Sequence, residues 1–178
     1  MVSSQLRIGF NNSISGGLVN AVVEAETLST NCMQMFLHSP RVWDFNGIST
    51  EEADVFRDNV KKRQIRPIVV HSSYLLSPLS ENSEMVEKTK TLLEKELVSA
   101  DLIRADYYVL HLRENKGYEF QKNIELLFNF FSMIAKPNHV KILLENLAIG
   151  VTSDVSNLLE MYKVLEPMGL FGGLCIDT

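Results

Sequence analysis

The sequence predicts an α/β protein of the TIM-barrel type, cut short at about six strands and five helices and forming one domain over residues 1–178. Three observations lead there. Short apolar runs alternate with amphipathic ones, no linker or low-complexity stretch interrupts them, and successive apolar runs end in metal-type side chains.

Taken in chain order, LRIGF (6–10) is the first strand-like run, and Gly16-Gly17 opens a helix from Leu18 to Leu28. CMQMFL (32–37) follows. Ser49 and Glu52 then have capping-box spacing, with Ala53, Phe56 and Val60 at the 3–4 spacing of a buried helix face. After PIVVHS (67–72), Val86, Leu93, Leu97 and Ala100 stripe a third helix. YYVLHL (107–112) precedes a helix striped by Ile124, Leu127, Phe131 and Ile134. KILLEN (141–146) precedes one striped by Val155, Leu158, Tyr162 and Leu165, and GLCIDT (173–178) closes the series. Each strand-like run is short, apolar and bounded by polar, Gly or Pro positions, as in a buried parallel sheet. Strand–helix repetition fits an open doubly wound sheet or a barrel. The sequence stops at Thr178 directly after a strand. An eight-strand barrel is therefore expected to be unfinished, with self-association through the open sheet edges.

The bulk numbers narrow the class. At 178 residues and 46% hydrophobic content the chain is ordinary globular material. No window reaches the roughly 18 unbroken apolar residues of a membrane helix, so no membrane partner is expected. MVSSQLRIGF lacks the basic and apolar regions of an export signal, which implies a cytoplasmic, intracellular protein, and the sequon Asn11-Asn12-Ser13 is then chance. Cys32 and Cys175 stand far apart inside apolar runs and are expected to be reduced, buried and structural. A net charge of −5 argues against nucleic-acid binding through a broad basic surface and leaves room for a local cleft. A bound zinc ion would offset several carboxylates there.

Four consecutive strand-like runs carry His71, His111, Glu145 and Asp177 at their ends, separated by 40, 34 and 32 residues, about one βα unit each. In a barrel such ends converge on the face where catalytic groups sit. Two imidazoles and two carboxylates are a donor set for zinc or another borderline divalent ion. A cation also explains the cost accepted at Glu145, a charge at the inner end of a core strand. His38 and His139 fall outside this pattern and are expected to have surface or rim roles.

With those residues stands a wider pattern: GFNNSISGGL near the start, MFLHSPRVW at 35–43, HSSYLL at 71–76, LLENLAIG at 143–150 and LCIDT at 174–178. Together they resemble the endonuclease IV family of apurinic/apyrimidinic endonucleases, xylose-isomerase-like TIM barrels, over its N-terminal two-thirds. The resemblance implies a hydrolase of base-excision DNA repair that cuts double-stranded DNA 5′ to an abasic site with three zinc ions. Carried over, His71 and His111 look like ligands of one zinc, Glu145 like the bridging catalytic carboxylate, and Asp177 like a ligand of the second ion. One zinc site would be complete here, and manganese is an alternative ion. Arg41 in SPRVW and Tyr74-Leu75 in HSSYL match the family's DNA-binding positions: a cation for phosphate or groove and a wedge for the duplex. Trp43 is expected in the core rather than stacked on a base. The chain departs from the pattern at Asn11, where the family usually has His, at Leu112-Arg113 in place of Pro-Gly, and at Leu147. Two other readings stand beside this one: a sugar-isomerase-like metal-dependent barrel, and an inactive truncated member of the endonuclease family. The 178 residues alone are expected to be weakly active at best.

Overall fold

Strand β1 (Met33–Met35) opens a five-stranded sheet that continues with β2 (Ile68–His71), β3 (Tyr107–His111), β4 (Lys141–Glu145) and β5 (Phe171–Cys175). The computed structural model describes residues 6–112 and 119–178. Every neighbouring pair is parallel, and the spatial order is the sequence order. A doubly wound sheet reverses its strand order at a switch point; a barrel wall does not. The unreversed order identifies a partial barrel wall.

Helix α1 (Leu18–Thr27) precedes β1, and α2 (Thr50–Arg63), α3 (Ser83–Leu102), α4 (Phe120–Phe131) and α5 (Val155–Leu165) link the strands. The capping box is formed: the Ser49 hydroxyl accepts from the Glu52 N–H at 3.1 Å. Asn82 and Asp154 cap α3 and α5 in the same way. The five helices lie where the periodicity puts them, except that α4 ends at Phe131 and leaves Ile134 of the expected stripe beyond it.

Period-two alternation sorts the sheet into two faces. Ile68, Val70, Tyr108, Leu110, Ile142 and Leu144 are all buried, and the core they join contains Phe56, Leu97, Leu127 and Leu158 from the helices. His71, His111 and Glu145 have the opposite parity, so the ligand candidates share the face turned away from that layer. Fold and site are set by the same alternation.

The first and last expected strands differ. Residues 6–10 form no strand, so the sheet has five strands among the described residues rather than six. The segment still runs beside β1: the Gln34 N–H donates to the Phe10 carbonyl at 2.9 Å and the Asn12 N–H to the Gln34 carbonyl at 2.7 Å. Gly9 permits this approach, because a Cβ there would lie 2.2 Å from the Cys32 carbonyl oxygen. With only the three-residue β1 to bond to, the ladder is not sustained, and Leu6, Ile8 and Phe10 stay exposed. At the other end, β5 covers 171–175 rather than 173–178, with a register irregularity opposite Ile142 and Leu143. Asp177 therefore lies two residues beyond the strand. Both cysteines are free thiols and half-buried rather than buried.

Candidate metal centre

β2, β3 and β4 deliver His71, His111 and Glu145 to one point. Glu145 Oε2 lies 3.2 Å from His71 Nε2 and 3.0 Å from His111 Nε2, and the two imidazole centroids are 4.9 Å apart. One donor atom from each of the three falls within 4.8 Å of the others. His71 and Glu145 are buried, and His111 is half-buried.

The hydrogen bonding decides what such a cluster can hold. His71 Nδ1 faces the Ser72 carbonyl at 2.9 Å, and a carbonyl only accepts, so Nδ1 carries the proton. In the neutral ring Nε2 then presents a lone pair to an ionised carboxylate. Two acceptors face each other unless a proton or a metal cation lies between them. A metal-binding histidine is held in just this way, with a backbone carbonyl fixing the tautomer from behind. The nitrogen and oxygen donors fit zinc and other borderline divalent ions.

Without a metal, burial raises the Glu145 pKa, but hydrogen bonds and positive charge from His111 and His71, when their rings carry a proton on Nε2, outweigh it and hold the carboxyl at about 2. The group is a carboxylate throughout the neutral range. Cys175 Sγ donates to Glu145 Oε1 at 3.7 Å. Burial, and then the Glu145 charge, push that thiol up to about 11, so it remains an S–H donor.

Asp177 stands outside the cluster and is exposed. Its backbone is held by the Asn146 side chain, which accepts from the Asp177 N–H and donates to the Asp177 carbonyl, each at 2.8 Å. Asn146 thus extends the β4–β5 ladder past the last strand residue, beside Glu145.

The loops that follow β1 and β2 meet on the same rim. The Pro40 carbonyl accepts from the Tyr74 N–H and the Ser73 hydroxyl, both at 2.9 Å. Arg41 is exposed one residue beyond that junction. Tyr74 is 45% exposed and packs edge-on against His71, centroid to centroid 5.8 Å, while Leu75 is half-buried. Ser73, Tyr74, Leu76, His111 and Leu147 line a cavity of about 290 Å³ at the cluster's edge. A larger cavity, about 570 Å³, lies between α3 and residues 135–138 at the opposite end of the sheet and contains no imidazole or thiol. Donor chemistry rather than size selects the first.

One expectation is corrected here and another is sharpened. Trp43 is not in the core: it is 36% exposed and lines a surface cavity with Glu87, Thr91 and Leu92 of α3, because it sits in a run of exposed residues, 41–44, between Pro40 and the buried Phe45. His38 stands at the rim, one of the two roles expected, but it is partly buried rather than free on the surface. Its side chain is only 11% exposed, and Nε2 lies 2.6 Å from Oε1 of the buried Glu96. Glu96 could have been noticed in the sequence, since it sits one position before Leu97 on the apolar stripe of α3. His139 is exposed, as expected. Arg113 lies outside the described residues.

The profile of the xylose isomerase-like TIM barrel family matches residues 22–178. The chain belongs to that family. Within it the similarity is to endonuclease IV proteins. "Probable endonuclease 4" of Halothermothrix orenii is 35% identical over 97% of this chain and 64% of its own length. The protein of the same name from Natronomonas pharaonis is 31% identical over 97% of this chain and 62% of its own length. The crystal structure of endonuclease IV from Thermus thermophilus superimposes with a TM-score of 0.75 at 28% identity, covering 88% of this chain and 59% of that one. The chain therefore spans about three-fifths of the length of these relatives. A D-tagatose 3-epimerase-like protein shares the fold at a TM-score of 0.66 and 17% identity. No helix among the described residues is long and apolar enough to cross a membrane.

Proposed function

We propose that this chain carries part of the active site of a zinc-dependent apurinic/apyrimidinic endonuclease, which hydrolyses the phosphodiester 5′ to an abasic site in double-stranded DNA inside the cell. Manganese is the alternative ion. One observation carries the reading: the His71–His111–Glu145 donor set shares a rim with the two joined loops that offer Arg41 and Tyr74.

In this reading His71, His111 and Glu145 hold one ion, and Glu145, ionised at working pH, supplies the fixed negative charge between the imidazoles. Asp177, its backbone clasped by Asn146, is the first ligand of a second ion. Bound divalent ions supply Lewis-acid stabilisation of the charge that develops on the phosphate. Arg41 meets the DNA backbone, and Tyr74 with Leu75 fills the gap left by the missing base. The overall charge of −5 confines DNA contact to this rim. The likeness to the epimerase-like protein bears on the fold alone, and a sugar substrate gives no role to an exposed Arg41.

The test is strand cleavage of a duplex with one tetrahydrofuran abasic analogue, in the presence of zinc. Weak cleavage 5′ to the analogue, absent from the intact duplex and abolished by Glu145→Gln, is the expected result. Equal treatment of both duplexes, or turnover of a ketose under the same conditions, overturns the reading.

A further inference from the structure

Away from the metal cluster, on the helix-facing side of the sheet, the structure buries a second charged group. Glu96 of α3 is 2% exposed. Its Oε1 lies 2.6 Å from His38 Nε2, and its Oε2 accepts the Tyr108 hydroxyl and, at 3.5 Å, the Ser73 N–H. One carboxylate thereby reaches the loop after β1, the loop after β2, and β3. Burial first, then the Glu96 charge, push the Tyr108 phenol well above its ordinary pKa, so it stays a donor.

The loop that Glu96 grips is closed at its base. His38 stacks on Phe45 with centroids 4.4 Å apart and rings 14° from parallel, and Phe45 is 7% exposed. Between these two ends, residues 41–44 project into solvent, Arg41 among them. The middle of the loop is tied to Ser73 and Tyr74 through Pro40. A buried carboxylate is costly unless its contacts are needed, and these contacts converge on the two DNA-side loops.

We propose that Glu96, acting through His38, is a positioning residue for DNA recognition: it latches the 38–45 loop to α3 so that Arg41 and Tyr74 are presented together. This rests on the endonuclease reading for its DNA arm, whereas the latch itself is a property of the fold. Among the described residues no hydrogen bond or ring contact joins Glu96 or His38 to the three metal-site side chains, so metal binding is expected not to depend on the latch.

Trp43 provides the reporter, because it is the only tryptophan in the sequence and lies within the latched loop. The experiment compares the parent with His38→Ala and Glu96→Gln in three measurements: acrylamide quenching of tryptophan fluorescence, zinc content, and affinity for the tetrahydrofuran duplex. Quenching is expected to rise about two- to threefold, affinity to fall about tenfold, and zinc content to stay unchanged, as for loss of a charge-assisted hydrogen bond that orders a loop. Should Glu96→Gln fail to fold by circular dichroism, His38→Ala decides, since it removes a side chain from the rim. Quenching equal to the parent's in a folded His38→Ala chain overturns the latch. Arg41→Ala and Tyr74→Ala run alongside: if neither lowers affinity, the endonuclease reading fails while the quenching result still decides the latch.

Discussion

His111 and Glu145 are register partners across β3 and β4, and their side chains meet at 3.0 Å, Nε2 to Oε2. The parallel ladder fixes this contact: a slip of one residue would turn either side chain to the helix-facing side. Glu145→Asp keeps the charge and withdraws it by one methylene from both imidazoles. We expect zinc affinity, measured by competition with a chelating dye, to fall at least about tenfold, the scale seen when metal ligands lose their orientation. Unchanged affinity would mean that the carboxylate is not a ligand.

Arg41 and Tyr74 predict different losses. Arg41→Ala removes one cation from the rim, so it should weaken abasic-duplex binding and reduce the salt slope by about one. Tyr74→Ala should cost about 1–3 kcal/mol on the abasic duplex and much less on intact DNA, because an aromatic wedge gains only where a base is missing. Fluorescence anisotropy at several salt concentrations separates the two. Parallel losses on both duplexes would remove Tyr74 from lesion recognition.

Asp101 sets an acid limb of stability that is independent of the metal. Its carboxylate accepts the backbone N–H groups of Asn138, His139 and Val140 and the Asn138 side chain. Burial raises its pKa, but these donors outweigh that and the net shift is downward. The folded pKa thus lies below the unfolded one. The contribution is present above about pH 3.8 and is lost as the pH falls through the lower folded value. Asp101→Ala should cost about 1–3 kcal/mol at pH 7, and the difference from the parent should shrink below pH 3.8 in urea titrations. A difference that stays constant down to about pH 2 would contradict this.

Five helices and the central strands were legible because their signals are local: the Ser49 cap, the striped faces, and apolar runs ending in His71, His111 and Glu145. The ends of the sheet were not. LRIGF reads as a strand by composition, yet its apolar side chains are exposed and its ladder stops at a three-residue neighbour, which is a tertiary fact. Spacing alone puts Asp177 on a strand end, but β4 ends at Glu145, whose register partner is Cys175, so the ladder stops two residues before Asp177. Likewise His38 gave no periodic signal, because its partner Glu96 lies 58 residues away on another element.

Open edges make an association prediction. Among the described residues β5 has no neighbour on its outer side, and Leu6, Ile8, Phe10 and Ile176 are at least half exposed. Unpaired ladder groups beside apolar surface invite pairing. The 178-residue polypeptide alone should show concentration-dependent light scattering that Ile8→Lys reduces. A monomer at all concentrations would show that the edges are protected.

The most direct test of the central claim is the zinc content of the purified chain by elemental analysis, beside a His71→Ala, His111→Ala double variant. The metal centre built on β2, β3 and β4 predicts bound zinc in the parent, withstanding dialysis, and little or none in a folded double variant. Equal zinc in the two would contradict it.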